Sequence, residues 1–291
     1  MDKYYKPSGS LSPLSFVYFL LACLVVIPIL ATIYAYAIWY IPFPYINMFI
    51  AGGFGFLAGV TIAYLVVRLG KVRNGKIAFL FGLLGGLVAL YFHWAVWVDL
   101  VFNISDVTGG ETIAVSNAKF GQVLSLATNP SGLFGIIGNI SEFGTWGISA
   151  GAVKGTVLKV FWAIEALIIV GICSMLPPGQ SGKPFCELNS KWFDEKNLKS
   201  VSFIENPAEV VKALESGDDT VFDSLELVAD NKTDSHSVFT LYANETNENY
   251  LSISNNKAGL NDKNEVKFDE RIIVNNISIS EALSNKLEQF A

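Results

Sequence analysis

The sequence predicts an α-helical integral membrane bundle of four transmembrane helices, followed by a C-terminal small α+β soluble domain with an antiparallel sheet. Three observations predict it. Of 291 residues, 52% are hydrophobic and 16% charged, the reverse of the balance in disordered chains. The apolar residues gather in four long runs within residues 1–176. The charge divides at the same place, with 9 Lys/Arg and 6 Asp/Glu before residue 177 and 11 and 20 after it. So acidic a tail lacks the basic patches that displace counterions, and no nucleic-acid partner is expected.

The four runs are Leu14–Tyr40, Asn47–Leu69, Ile77–Phe102 and Gly155–Met175, each near or above the roughly 20 residues a helix needs to cross a bilayer. None has the two-residue alternation of a barrel strand, and helices satisfy their own backbone in lipid. Lys3 and Lys6 before the first run, and Ala35-Tyr-Ala37 within it, imitate a secretion signal. The run is longer than the 7–15 apolar residues of such signals, so a retained span is expected, kinked at Pro28.

Positive charge flanks the spans on alternate connections. Lys3 and Lys6 precede the first, Arg68, Lys71, Arg73 and Lys76 fill the second connection, and Lys183, Lys191, Lys196 and Lys199 follow the fourth span. Four crossings put all three clusters on one side, which predicts cytoplasmic N- and C-termini. Trp39, Tyr40, Trp94 and Trp97 then fall toward the outer interface. The third connection, residues 103–154, forms a long extracytoplasmic loop. In it Phe120, Val123, Leu124 and Ala127 share a helical face, and Asn129-Pro130 reads as a cap with proline in the first turn. Two readings stand for residues 116–143: short helices lying on or dipping into the outer leaflet, or a surface loop folded over the bundle.

Pro177-Pro178-Gly179 is expected to end the last span, with 177–183 a linker and 184–291 the acidic cytoplasmic domain. A strand is expected at Ser200–Ile204, and a helix capped at Asn206 and ending near Gly217. A short element at Val221–Val228 follows. Strands at Ser237–Tyr242, Tyr250–Ser254, Glu265–Phe268 and Arg271–Ile279 alternate with polar turns, and Ser280 is positioned to cap a final helix.

The search for chemistry is mostly one of exclusion. Cys23, Cys173 and Cys186 form no motif pair. Pro184 to Trp192 resembles one arm of a zinc ribbon with Asn189 where the second cysteine belongs, and the tail adds only His236, too few ligands for a structural zinc. The favoured reading is a turn packing Phe185 against Trp192. Gly179-Gln-Ser-Gly182-Lys183 lacks phosphate-loop spacing. Gly147-Ile-Ser149-Ala-Gly151 has the letters of a nucleophile elbow, without the strand-to-helix context or a nearby histidine other than His93. With Gly155, Gly147 and Gly151 instead read as one small-residue helical face for close packing. Gly55 and Gly59 in the second span, and Gly82 and Gly86 in the third, read the same way, either for a tight bundle or for self-association.

Glu165, near the middle of the fourth span, is the most informative residue. A carboxylate at that depth is costly and faces a bundle interior or a water path. Measured from the cytoplasmic ends of their spans, Glu165 lies about 15 Å deep and His93 about 24 Å, so the two are offset. Thr61 and Tyr64 of the second span come nearer in depth and are candidate partners. Asp99, near the outer end of its span, is expected to be solvated, and Lys159 to snorkel. Glu165 supports either an ion- or proton-binding element or a structural hydrogen bond between helices.

The leading functional expectation is a non-enzymatic accessory subunit or scaffold of a membrane complex, binding through its outer loop or cytoplasmic domain. The alternative is a small oligomeric channel or transporter built on Glu165. No cofactor and no metal is expected. The partners expected are the lipid bilayer and either another protein or further copies of the chain, and the low cysteine and high Asn/Lys content suit a bacterial cytoplasmic membrane.

Overall fold

Four helices are long and apolar enough to cross a membrane in the computed structural model, which describes residues 3–41, 43–105, 115–144, 146–148, 151–228, 231–246 and 248–290. They are α1 (Leu14–Tyr40), α2 (Tyr45–Leu69), α3 (Gly75–Phe102) and, after two shorter helices, α6 (Gly155–Ser181). The chain divides into two compact units, one of Ser8–Gly182 and the other of Met1–Pro7 with Lys183–Ala291. The first unit therefore begins after the first seven residues, which belong with the C-terminal part and not with the helices.

Within the helical unit, α6 packs against both α2 and α3, and α1 against α3. The core is built from small and branched residues, among them Ala31, Ala58, Ile62, Val66, Ala78, Ala89 and Ile169. Glycine sets the spacing. A methyl group on Gly55 would lie 2.8 Å from the Ile169 carbonyl oxygen, and one on Gly59 3.1 Å from Cys173 Cα. On α3 the corresponding distances are 2.7 Å from Gly82 to the Cys173 carbonyl oxygen and 3.0 Å from Gly86 to Val170 Cα. All four glycines thus press onto one stretch of α6, and their faces are used inside the chain. The N-terminus of α3 is capped by Asn74, whose side-chain oxygen accepts from the Lys76 and Ile77 amides. Pro28 comes two residues after a π-helical stretch at Ala22–Val26 within α1, a wider turn that accommodates an interrupted hydrogen-bond ladder.

The fourth long helix does not stop at Pro177. It continues through Pro177 and Pro178 to Ser181, so the expected linker at 177–183 is mostly helix. Proline removes the backbone donors that the Cys173 and Ser174 carbonyls would use. Packing holds the turn instead: Pro177 and Ser181 are buried, and Gly82 lets α3 approach to where a Cβ would be 3.0 Å from Pro177 Cγ. The Ser181 hydroxyl donates to the Pro178 carbonyl at 2.8 Å.

Between α3 and α6 the described residues form α4 (Phe120–Ala127) and α5 (Pro130–Phe143), bent by 103° at a short break. Asn129 caps α5 through the Gly132 amide at 3.0 Å. Both helices contact α3, against a cluster that includes Trp94, Trp97, Leu100 and Leu133. The expected single face of α4 divides: Val123 and Ala127 pack on that cluster, while Phe120 and Leu124 are exposed. Short strands β1 (Ile104–Ser105) and β2 (Val115–Ser116) pair before α4, and β3 (Trp146–Ile148) and β4 (Gly151–Val153) pair before α6. Asp106 and Glu111 lie outside the described residues.

The second unit opens with the hairpin β5 (Phe185–Cys186) and β6 (Lys191–Trp192). Its main antiparallel sheet joins β7 (Asp194–Asn197), β8 (Val201–Ser202), β9 (His236–Ala243), β10 (Asn249–Leu260) and β11 (Val266–Ile279), in the order β11-β10-β9-β7 with β8 also on β9. Phe239, Leu251, Ile253, Val274 and Ile277 form its inner face beneath α7 (Pro207–Ser216) and α8 (Glu281–Leu287). The α7 helix stops at Gly217 in the left-handed region (φ 80°) without a side-chain cap from Asn206, and Ser280 caps α8 through the Leu283 amide. The two strands expected at 265–268 and 271–279 are one, because Asp269 and Glu270 pair with Lys257 and Asn256 of β10. Strand β7 was not expected, since Asp-Glu-Lys-Asn has poor strand propensity, and pairing with β9 supplies what propensity lacks. Residues 3–5 extend the sheet: Tyr4 bridges Ile277, the Tyr5 amide donates to Asn276, and Ser278 donates to Lys3.

Gly82→Ala is expected to destabilise the helical unit by about 1–3 kcal/mol, the usual cost of overpacking, seen as a lower thermal midpoint in detergent. Gly171→Ala, where a methyl meets nothing within 4 Å, should leave the midpoint unchanged or raise it. Equal midpoints for the two variants would remove the glycine contact as the spacing device.

Candidate functional site

Within the helical unit, three polar side chains from three different helices meet. Tyr34 of α1 is buried at 2% exposure and donates its hydroxyl to Glu165 Oε1 of α6 at 2.6 Å. His93 of α3, 1% exposed, sets Nε2 3.5 Å from the same oxygen. The Glu165 side chain is 20% exposed, so the group sits at the edge of the bundle rather than at its centre. Tyr34 is fixed by Phe54, stacked at 4.5 Å and 7°, and by the edge of the His93 ring at 4.7 Å. Beyond His93 stand Trp94, Trp97 and Trp162, edge to face with one another. His93 Nδ1 is buried and, among the described residues, has no hydrogen-bond partner.

Glu165 and His93 are therefore in contact, and the offset expected from their depths is absent. The helix ends explain it. With α6 reaching Ser181, Glu165 lies sixteen residues from its end, and with α3 starting at Gly75, His93 lies eighteen from its own. At 1.5 Å per residue these are about 24 and 27 Å. Reading Pro177 as a stop removed one and a half turns from the count.

The two expected partners of Glu165 do not reach it. The Thr61 hydroxyl donates to the Leu57 carbonyl of its own helix at 2.8 Å, and Tyr64 is 54% exposed. Tyr34 takes the place assigned to them. It lies in an apolar run with no charge to mark it, and only its level, about 30 Å from the start of α1, could have pointed to it.

Asp99 is buried rather than solvated. Its Oδ2 accepts from the Lys119 amide at 2.7 Å and its Oδ1 from Asn103 Nδ2 at 3.1 Å, which ties the start of α4 to the end of α3. Tyr36 accepts from the Ala118 amide, and Tyr91 donates to the Ala127 carbonyl. Lys159 pairs with Glu142 at 3.2 Å with both side chains exposed, a bridge of little energetic weight.

Gly147, Gly151 and Gly155 do not share a helical face. Gly147 and Gly151 lie in β3 and β4, and Gly155, at φ 64°, opens α6 in space where an added methyl group would meet nothing within 4 Å. A segment this rich in glycine gains too little from helix formation to extend α6 backward. Ser149 lies outside the described residues.

In the other unit, Phe185 and Trp192 meet edge to face at 5.0 Å across the β5–β6 hairpin, and Asn189 Oδ1 accepts from the Lys191 amide in its turn. His236 contacts the Asp234 carbonyl and Asn256, not Cys186. Among the described residues no three His, Cys, Asp or Glu side chains are arranged to hold a metal. Burial, and next the Glu195 carboxylate, push the Tyr242 hydroxyl up to about 12.

Chemically, the Tyr34–Glu165–His93 group can share a proton among a hydroxyl, a carboxyl and an imidazole, or it can fasten three helices. Comparison with known proteins gives no match, whether to family models, curated proteins or solved structures.

Tyr34→Phe and Glu165→Leu should each destabilise the helical unit by about 1–3 kcal/mol. Combined, they should show a coupling of about 0.5–3 kcal/mol, because each removes one partner of the same hydrogen bond. Reversible unfolding in detergent measures the cycle, and strictly additive effects would contradict the bond.

Proposed function

We propose that the chain is a non-enzymatic integral membrane protein serving as an accessory subunit or scaffold of a membrane complex, which binds its partner through the outer loop or the acidic cytoplasmic domain. The observation that carries this reading is the bonding of Glu165. Its carboxyl oxygen is taken up by Tyr34, a polar tie between helices of the kind that holds bundles together in lipid.

The four apolar helices support insertion into a bilayer. The pairing of residues 3–5 with β11 in one sheet supports a reading in which both ends of the chain share a side and the crossings number four rather than five. On that reading α4 and α5 rest on or within the outer leaflet without spanning it. Lys3, Lys6, Arg68, Lys71, Arg73 and Lys76 support a cytoplasmic location for that side. The low cysteine content suits a bacterial cytoplasmic membrane.

A second reading, an oligomeric channel or transporter using Glu165, is favoured by the buried Nδ1 of His93 beside that carboxyl, unpartnered among the described residues. It loses the support of the glycine faces, which are occupied within the chain.

Gentle extraction of the tagged full chain should bring down a foreign protein in fixed ratio, and Glu165→Gln should retain it. Recovery without any foreign protein, together with proton or ion flux in vesicles that Glu165→Gln abolishes, would overturn the accessory reading in favour of the second.

A further inference from the structure

The sheet has two outer strands, and they differ in kind. β7 is four residues long, wholly exposed and charged at three of its four positions, which blunts an edge against pairing. β11 is fourteen residues long, and residues 3–5 cover only its end at 276–278. Among the described residues none pairs with its outer edge from Val266 to Val274. The inner neighbour β10 is itself covered by β9 only as far as Asn256, so residues 257–260 and 266–269 form a two-stranded ribbon beyond the sheet. Its turn is fixed by Asn261, whose side chain accepts from the Lys263 and Glu265 amides. Val266 and Ile272 are exposed along the strand, and Lys267, Asp269 and Arg271 make no ion pair among the described residues.

We propose that this edge pairs with the same edge of a second copy of the chain, antiparallel about a two-fold axis at Phe268. Opposed residues of an antiparallel pair point to the same side of the sheet. A two-fold axis perpendicular to the sheet must therefore pass through a residue, not between two. Through Phe268 it sets Lys267 opposite Asp269 and Glu265 opposite Arg271, each twice, with the two Phe268 rings at the centre. Every other centre from Lys267 to Arg271 sets a charged residue against itself. About Phe268 the charges at 267 and 269 and at 265 and 271 are opposite, while Val266 faces Glu270, and the two complementary pairs, each made twice, select a second copy over a partner of another sequence. The two β11–β10–β9–β7 sheets become one continuous sheet of eight strands, with β8 added on each side.

The test uses the full chain in its membrane. Opposed residues at the axis lie about 4.5–5.5 Å apart between Cα atoms, within disulfide range, and Cys23, Cys173 and Cys186 are buried. Phe268→Cys should cross-link two copies on mild oxidation, while Lys257→Cys on β10 should not. Lys267→Asp added to Phe268→Cys should lower the yield about tenfold, since each charge pair counts twice, and Lys267→Asp with Asp269→Lys should restore it. Because Phe268→Cys removes the central ring, sedimentation of the unsubstituted chain in detergent gives a second reading, with a mass of two copies expected. A single-copy mass at all concentrations, or a charge exchange that fails to restore cross-linking, overturns the proposal. Neither result touches the accessory reading, which depends on a foreign protein being recovered.

Discussion

The helical unit depends on how closely the backbone of α6 can approach α2 and α3. Gly55, Gly59, Gly82 and Gly86 remove the side chains that would keep the helices apart, and the gaps left would not hold a methyl group without backbone contact at 2.7–3.1 Å. In lipid there is little hydrophobic force between helices, so dispersion and hydrogen bonding at short range supply the association. The same approach carries α6 through Pro177 and Pro178, because the turn that proline weakens is held from outside by α3. It also brings Glu165 level with Tyr34 and His93. One packing arrangement therefore determines the length of a helix and the composition of the polar group.

Length and hydrophobicity made the four helices legible, and the Asn129 and Ser280 caps were legible as local chemistry, since each acts within three residues of itself. What escaped was set by contacts distant in sequence. Tyr34 and Glu165 are 131 positions apart, and nothing near Tyr34 marks it as a partner. The proline pair read as a stop because local propensity argues for one, and packing overrode it. Asp99 read as solvated from its place near a helix end, whereas the incoming amide of Lys119 buries it. Gly147, Gly151 and Gly155 matched a spacing that has meaning only inside a helix, and the first two are in strands.

The sheet-bearing unit shows a different division of labour. Its inner face is a conventional apolar core, while its rim is governed by backbone groups in search of partners. Strand β7 forms from residues with little taste for strands because β9 offers it an edge. At the far side, a long edge is covered only at one end by the chain's own first residues. Exposed edges invite pairing, and the arrangement of charge along them decides with what.

Residues 3–5 and residues 276–278 are near opposite ends of the chain, yet they complete one sheet. During synthesis the first of these leaves the ribosome long before the last exists, and every residue between must be made while the early strand has no neighbour. Loop-closure entropy grows only slowly with the length closed, so the delay, rather than the free energy, is the larger consequence. The sheet edge is finished last, and a ribosome that stalls before residue 276 leaves a nascent chain whose four long helices are all made but whose residues 3–5 have no strand to pair with.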